Sequence, residues 1–320
     1  MAIPKIDNLE FREVTNNIFL VHQIKTRSLF SCCDGLLVLP KKDRNKTTIA
    51  LDLNIEPKYI ASINELYGPV SHYICSHCHF DHTSHVYTWE ELGAIIHAPI
   101  PEAHYLLDLH KFYIGFGFDE SLDYDIIESF GKLNGFQICK RVHPFEPGDS
   151  LRFEEFNLHT IPFQGHSKAH VGFLLNSEQI LHISCMGFDK ISPDMDGFGP
   201  WYGFKHCSIS QYLEDITRAE SIFLNDAKYL TSSHSYIVHK PNIHPFDYMR
   251  KKIYNNQRKV ENALRSLNLH QTTEDKLVKQ LLSIDLFFPK KKLKGFMLDI
   301  YRFWESWIIR KHIHQSEYFE

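Results

Sequence analysis

Residues 73–85 of the chain read YICSHCHFDHTSH. Four imidazoles and a carboxylate follow directly on an apolar run, and few folds can use them there. The run reads as a strand, and the ligand-type residues begin where it ends. In His77-x-His79 the period of two sends both rings to the same side of an extended segment. A turn then carries Asp81 and His82 around a second point. Imidazole nitrogen suits zinc at about 2.0–2.1 Å, and a carboxylate can complete a second site. One segment can therefore start two neighbouring metal sites. A histidine-rich loop without metal is the plain alternative, and four ligand-type residues in six positions fit it poorly.

Two sites need more donors, and the chain offers them further on. In IPFQGHSKAH (161–170) His166 follows Gly165 in a tight loop between two strand patterns. In LTSSHS (230–235) His234 closes another apolar run. In ILHISCMGFD (180–189) Cys185 stands at a strand end, a soft donor matched to zinc. Donors at the ends of several strands can be gathered along one edge of a sandwich.

NIFLVHQI (17–24), LFSCCDGLLVLP (29–40) and TTIALDL (47–53) read as strands. EPKYIASINELYG (56–68) has helical spacing and a Gly stop. PVSHYICS (69–76) and AIIHAP (94–99) return to strand. Residues 101–145 are aromatic and irregular, which predicts a lid or pocket wall, with a packed surface insertion as the equal alternative. A second batch of strands follows in DSLRFEEFNLHTIPF (149–163), HVGFLLNS (170–177), QILHISC (179–185) and KYLTSSHS (228–235), with a helix over SISQYLEDITRAESIF (208–223). The pattern predicts an α/β (α+β) fold: two mixed sheets face to face, helices outside. From about 244 the spacing is helical throughout. Residues 1–243 then form one domain and 244–320 a helical extension.

Histidine is the compositional outlier, with 21 among 320 residues. No stretch of 18 apolar residues occurs, so no membrane span is expected. The start, MAIPKIDNLEFREV, lacks the apolar core of a secretory signal. Seven cysteines, an odd number in a chain of this size, suggest reduced thiols. These features predict a cytoplasmic protein. Residues 241–320 hold 15 Lys/Arg against 9 Asp/Glu, while the rest holds 20 against 30. An acidic main part argues against a nucleic-acid partner, because phosphate needs basic groups. PKKKLKG (289–295) reads as a solvated turn.

His77-x-His79-x-Asp81-His82, then Gly165-His166-Ser167, a strand-end donor and His234 together resemble the metallo-β-lactamase superfamily over about residues 15–240. Asp52 in IALDLN matches the acidic residue that family places near its first buried strand. The resemblance implies an αββα metallo-β-lactamase sandwich with a dinuclear metal site on one edge. The C-terminal helices would be like the appended helical or winged-helix units of some members. His77, His79 and His166 would bind one ion. Asp81, His82 and His234 would bind the second, with Cys185. Most hydrolases of the family carry a bridging Asp where Cys185 aligns, and Asp189, four residues on, is the rival donor. Cys78 reads as packing and His85 as a support or surface residue.

Two divalent ions, Zn2+ with Fe or Mn as alternatives, would make a shared, bridging hydroxide the nucleophile. Asp81 would orient it and pass a proton to the leaving atom. The resemblance thus implies a hydrolase of a small-molecule ester, thioester or lactone. A β-lactamase-like amidase is the alternative that Cys185 favours. An iron-dependent oxidoreductase of the same fold is a further one, which a thiolate disfavours. Tyr202, in DGFGPWYGF, is a candidate oxyanion donor, with a loop that Pro200 and Trp201 simply pin on the core as the stronger alternative. Phe198, Trp201 and Tyr202 would form one pocket wall, and Tyr113, Phe116 and Phe118 the other, around an apolar acyl group. The FWESWIIRKHI segment would pack on the sandwich or on a second copy of the chain, and no membrane partner is expected.

Overall fold

The computed structural model describes residues 6–40, 47–154, 156–187, 199–234, 236–267 and 273–316. Its first sheet runs in chain order through β1 (Leu9–Thr15), β2 (Ile18–Gln23), β3 (Gly35–Val38), β4 (Thr48–Leu51), β5 (Val70–Ile74), β6 (Ile95–Pro99) and β7 (His143–Phe145). The second holds β8 (Ser150–Phe153), β9 (Phe156–Pro162), β10 (Val171–Leu175), β11 (Ile180–His182), β12 (Tyr229–Thr231) and β13 (Val238–His239), also neighbour to neighbour. Strands β2 to β4 are covered on both faces, which is why IFLV, GLLV and the IAL of TIAL are apolar runs. Between the sheets, Leu20, Leu36 and Ile74 share one buried cluster with Leu158, Val171 and Phe173.

Helices cover the outer faces. They are α1 (Pro57–Tyr67), α2 (Phe80–Thr83), α3 (Val86–Glu91), α4 (Leu109–Gly115), α5 (Tyr124–Asn134) and α6 (Ile209–Asp226). The chain ends in α7 (His244–Arg265), α8 (Glu274–Leu282) and α9 (Phe296–His314). No strand occurs among the described residues of this extension, where a winged helix would need a strand pair. The extension is no loose tail. Ile300, Phe303, Trp304 and Ile308 of α9 enter the same core as Tyr73 and Phe118, while Val260, Leu281 and Ile309 form a small cluster of their own.

Strand direction decides where the site falls. β4 through β7 run parallel, as do β11 and β12. Their carboxyl ends therefore open on a common edge, the place where open α/β sheets bind ligands. Asp52 follows β4, His77 follows β5, Cys185 follows β11 and His234 follows β12.

Three expectations need correction. Residues 29–34 are loop rather than strand, with a single bridge from Cys33 to Asn54. Asn54 holds this loop, because its side-chain amide donates to the Ser31 carbonyl at 2.9 Å and the Asp81 carbonyl at 2.5 Å. DSLRFEEFNLHTIPF is a hairpin, turned at Glu154 with φ of 42°; no Gly or Asn marks it. Lys290 is not solvated, because its ammonium is buried against the Glu305 carboxylate.

Candidate metal centre and its cavity

Beyond Ile74 the chain leaves β5 and folds back on itself. His77 Nε2 then lies 3.0 Å from His79 Nδ1. His166 Nε2 lies 3.2 Å from the first and 3.1 Å from the second. Tetrahedral donors at about 2.0–2.1 Å from zinc stand about 3.3–3.4 Å apart, so the triangle suits one such ion. Gly165 is needed to bring His166 in, since a side chain there would strike the backbone of Tyr212 in α6. Burial, helped by repulsion from the neighbouring rings, pushes His77 and His79 well below the ordinary imidazole range. Burial also lowers His166, to about 4. Neutral rings carry one bare nitrogen each.

Which nitrogen is bare follows from what holds the other. His166 Nδ1 lies 2.8 Å from the Trp201 carbonyl. A carbonyl only accepts, so Nδ1 carries the proton and Nε2 the lone pair. For His77 the direction is set by a carboxylate two hydroxyls away. Ser184 Oγ donates to Asp52 Oδ2 at 2.5 Å, so it can only accept from Ser76 Oγ at 2.6 Å. Ser76 Oγ in turn accepts from His77 Nδ1 at 2.8 Å. His77 Nε2 is left bare, facing the other two rings. Such tethers fix the tautomer and aim of a metal-binding imidazole.

Asp52 serves a second group as well. It lies 3.2 Å from His82 Nδ1 through Oδ2, while Oδ1 accepts the Ser76 N–H at 2.7 Å. Burial would raise the Asp52 carboxyl, but His82 and the Ser184 hydroxyl hold it well below the usual carboxylate range. The other nitrogen of His82, Nε2, is buried and makes no hydrogen bond. It stands 3.5 Å from Asp81 Oδ2, and His234 Nε2 stands 3.3 Å from that same oxygen. Burial opposes ionisation of Asp81, and the His82 and His234 rings overcome it and lower its pKa. Cys185 Sγ joins His77 and His82 in a third group whose donor atoms all lie within 4.8 Å of one another. His77, His79, Asp81, His82, His166, Cys185 and His234 thus converge, and these groups could hold metal ions. Asp189, the rival to Cys185, lies outside the described residues, as does Phe198.

Backbone strain gathers here too. Asp52, Ser184 and His234 have φ of 53°, 49° and 59°. Non-glycine residues held so cost about 1–3 kcal/mol each and tend to cluster at functional sites.

Several working residues carry no mark in the sequence. Glu102 is buried, and its carboxylate accepts the Cys78 N–H at 2.9 Å and the Ala169 N–H at 3.2 Å. It ties the His77–His79 turn to the His166 loop. His170 is buried with its ring 4.9 Å from those of His77 and His166, and its Nδ1 donates to the Phe163 carbonyl at 3.0 Å. Its position four residues after His166 was the only available signal. Tyr202 is a correction. It is buried, and its hydroxyl is taken up by His312 at 3.0 Å and Asn256 at 2.7 Å, so it clamps the loop to α7 and α9 rather than facing an oxyanion. Cys78 packs in the core as expected, while His85 is buried rather than on the surface.

A cavity of about 270 Å³ opens beside the donors, with His79, Asp81, Cys185 and His234 on its lining. The irregular 101–145 segment supplies Phe112, Phe118 and Phe130, the loop after Cys185 supplies Trp201 and Phe204, and α9 supplies Trp304. The pocket-wall expectation for that segment holds for Phe118. Phe116 instead packs behind the His79 ring at 5.0 Å, and the Tyr113 hydroxyl donates to the Leu122 carbonyl at 2.6 Å. His22, held by Asp34 at 2.7 Å, also reaches the cavity.

Comparison with known proteins agrees with this geometry. The family model described as the Metallo-beta-lactamase superfamily matches residues 49–228. A beta-lactamase domain protein from Burkholderia ambifaria has a similar structure at TM-score 0.64 and 13% identity, over 99% of this chain and 92% of its own. A metallo-beta-lactamase family protein from Thermus thermophilus gives 0.58 at 14% identity, over 88% of each chain. The DIM-1 metallo-beta-lactamase gives 0.53 at 18% identity, over 78% of this chain and 99% of its own. At these identities the likeness is one of fold. No curated protein matches the chain.

Proposed function

The chain belongs to the metallo-beta-lactamase superfamily, and from that premise we propose that it is a metal-dependent hydrolase of a small-molecule ester, thioester or lactone. The observation that carries this reading is the meeting of three buried imidazole nitrogens 3.0–3.2 Å apart, with the rings of His77 and His166 tethered through their other nitrogens. His77, His79 and His166 would hold one divalent ion, and Asp81, His82, His234 and Cys185 a second. When bound, such ions supply Lewis acidity and water activation, and the thiolate favours zinc over iron or manganese. The chain's own groups do the rest. Ionised Asp81 accepts the proton of the attacking water and returns it to the leaving oxygen or sulfur. His82 and His234 hold that carboxylate in place. Water adds to the acyl carbon, and the carbon–oxygen or carbon–sulfur bond breaks.

Cys185 also suits a β-lactamase-like amidase. Against that reading, no lysine or arginine is found among the described residues lining the cavity to meet an anionic substrate. None of the seven cysteines forms a disulfide, which fits a reducing compartment such as the cytoplasm. No helix among the described residues is long and apolar enough to cross a membrane. The test is metal analysis of the purified protein, followed by hydrolysis of p-nitrophenyl butyrate, a thioester, a lactone and nitrocefin. Zinc at one to two ions per chain with ester or thioester turnover is the expected result. Turnover that survives His77→Ala together with His166→Ala would sink the reading.

A further inference from the structure

Resting on the hydrolase reading, we propose that the cavity is an acyl pocket: it takes the uncharged hydrocarbon part of an ester or thioester, and Trp304 of the C-terminal extension sets how long that part can be. Three observations point the same way. The cavity runs from the candidate metal donors Asp81, Cys185 and His234 to aromatic walls, so a group bound there is continuous with the reacting carbon. Its described lining holds no lysine or arginine, so a carboxylate or phosphate held among the aromatic walls would be buried without either to pair with. The wall that Trp304 forms is packed from behind. Trp304 is wedged by Phe30 at 5.2 Å, Trp201 at 5.2 Å and Phe130 at 5.7 Å between ring centroids.

The volume, about 270 Å³, falls just below the roughly 300–1,000 Å³ usual for small-molecule sites. That fits a short or medium chain rather than a long one. Trp304 is nearly fully buried on a helix that shares the main core, so it acts as a fixed stop rather than a mobile flap. The extension is then part of the specificity machinery of the site, although it contributes none of the candidate metal donors. The reaction balances as simple hydrolysis: water supplies the hydroxyl to the acyl carbon and the proton to the departing alkoxide or thiolate.

The experiment measures kcat/KM on p-nitrophenyl acetate, butyrate, hexanoate, octanoate and decanoate for the wild type, Trp304→Ala and Trp304→Phe. A mono-p-nitrophenyl ester of adipic acid serves as the charged control. The wild type should gain about two- to fourfold per methylene, then fall once the chain meets Trp304. Trp304→Ala should move that break to longer esters, and the adipate ester should react at least tenfold more slowly than the hexanoate. A flat length profile, an unmoved break or an equally fast adipate ester would overturn the proposal. Trp304→Phe keeps the test alive if the alanine variant does not fold, since the smaller ring should shift the break less. Calorimetric titration with 1-hexanol separates the two readings. Binding at one site, weakened at least fivefold by Trp304→Ala, with no ester turnover, supports the pocket and defeats the hydrolase. Turnover without hexanol binding defeats the pocket alone.

Discussion

The two donor groups at the sandwich edge are built differently. In the His77–His79–His166 triangle all three residues are buried, and two of the rings have their rear nitrogens tied, one to Ser76 and one to the Trp201 carbonyl. In the Asp81–His82–His234 group only His82 is fully buried; the Asp81 side chain is 18% exposed and that of His234 31%. His234 also sits on a strained backbone, and its Nε2 stands 3.3 Å from Asp81 Oδ2, against 3.0 Å between His77 and His79 in the triangle. A closed, tethered triangle loses little entropy when it binds an ion, whereas the second group must still be drawn together. The first site should therefore fill first and empty last.

The largest effect expected from this contrast concerns His166. Replacing it with Ala should lower kcat/KM on p-nitrophenyl butyrate by about three orders of magnitude or more, since Lewis-acid stabilisation is worth several kcal/mol. Cys185→Ala should act more gently, taking the metal content of the dialysed protein to near one ion per chain while the triangle keeps its own. Equal losses for the two variants would mean that the sites fill as one unit. An unchanged stoichiometry for Cys185→Ala would move the thiol's assigned role to Asp189.

Next in size is Asp52, whose carboxylate reaches both groups. Asp52→Asn should weaken metal affinity by about 10–100-fold at each site, the usual loss for removal of a partner behind a ligand. Ser184→Ala interrupts only the hydroxyl chain to His77, so it should weaken the triangle about tenfold and leave the second site unchanged. Competition with a chromogenic chelator resolves the two dissociation steps. If Ser184→Ala weakened both sites alike, the relay from Asp52 to His77 would not be what sets the tautomer. Removal of metal by a strong chelator should lower the midpoint of thermal unfolding, because an ion at 100 times its Kd stabilises the folded state by about 2.7 kcal/mol.

The donors were legible because metal chemistry restricts residue type and strand ends restrict position: only His, Cys, Asp and Glu qualify, and they had to follow apolar runs. The tethers were not legible. His166 is aimed by the Trp201 carbonyl, and every residue has a carbonyl. His77 is aimed by two serines that lie 108 positions apart, a juxtaposition that only the folded sandwich creates. The sandwich itself could be read from its apolar runs, yet β1 could not, because LEFREVT puts charges on its exposed face and leaves too weak an alternation. α5 was hidden inside a segment whose glycines and aromatics read as irregular. Tyr202 shows a related limit: its loop lies near the site, as the sequence indicates, but the sequence does not say which face of the loop α7 and α9 claim.

Glu102 gives the smallest effect and the finest test of the contrast, because it ties the two loops of the triangle and none of the second group. Glu102→Gln keeps the shape but loses one acceptor, so it should cost about 1–3 kcal/mol in folding stability and loosen only the triangle. Its pH dependence has a definite sign. Burial raises the Glu102 carboxyl above its ordinary value, against the opposing hydrogen bonds from Ser167, Cys78 and Ala169. A carboxyl whose pKa is higher folded than unfolded holds its proton more tightly in the native state. Its stabilising contribution is complete below the unfolded value and is lost as pH climbs through the raised native one. Glutamine does not titrate. Urea unfolding of chelator-treated wild type and variant should therefore show the variant's deficit greatest near pH 4 and smaller near pH 7. A deficit that grew with pH would mean that the donors gripping Glu102 outweigh its burial, and that the triangle is held by a charge rather than by a shape.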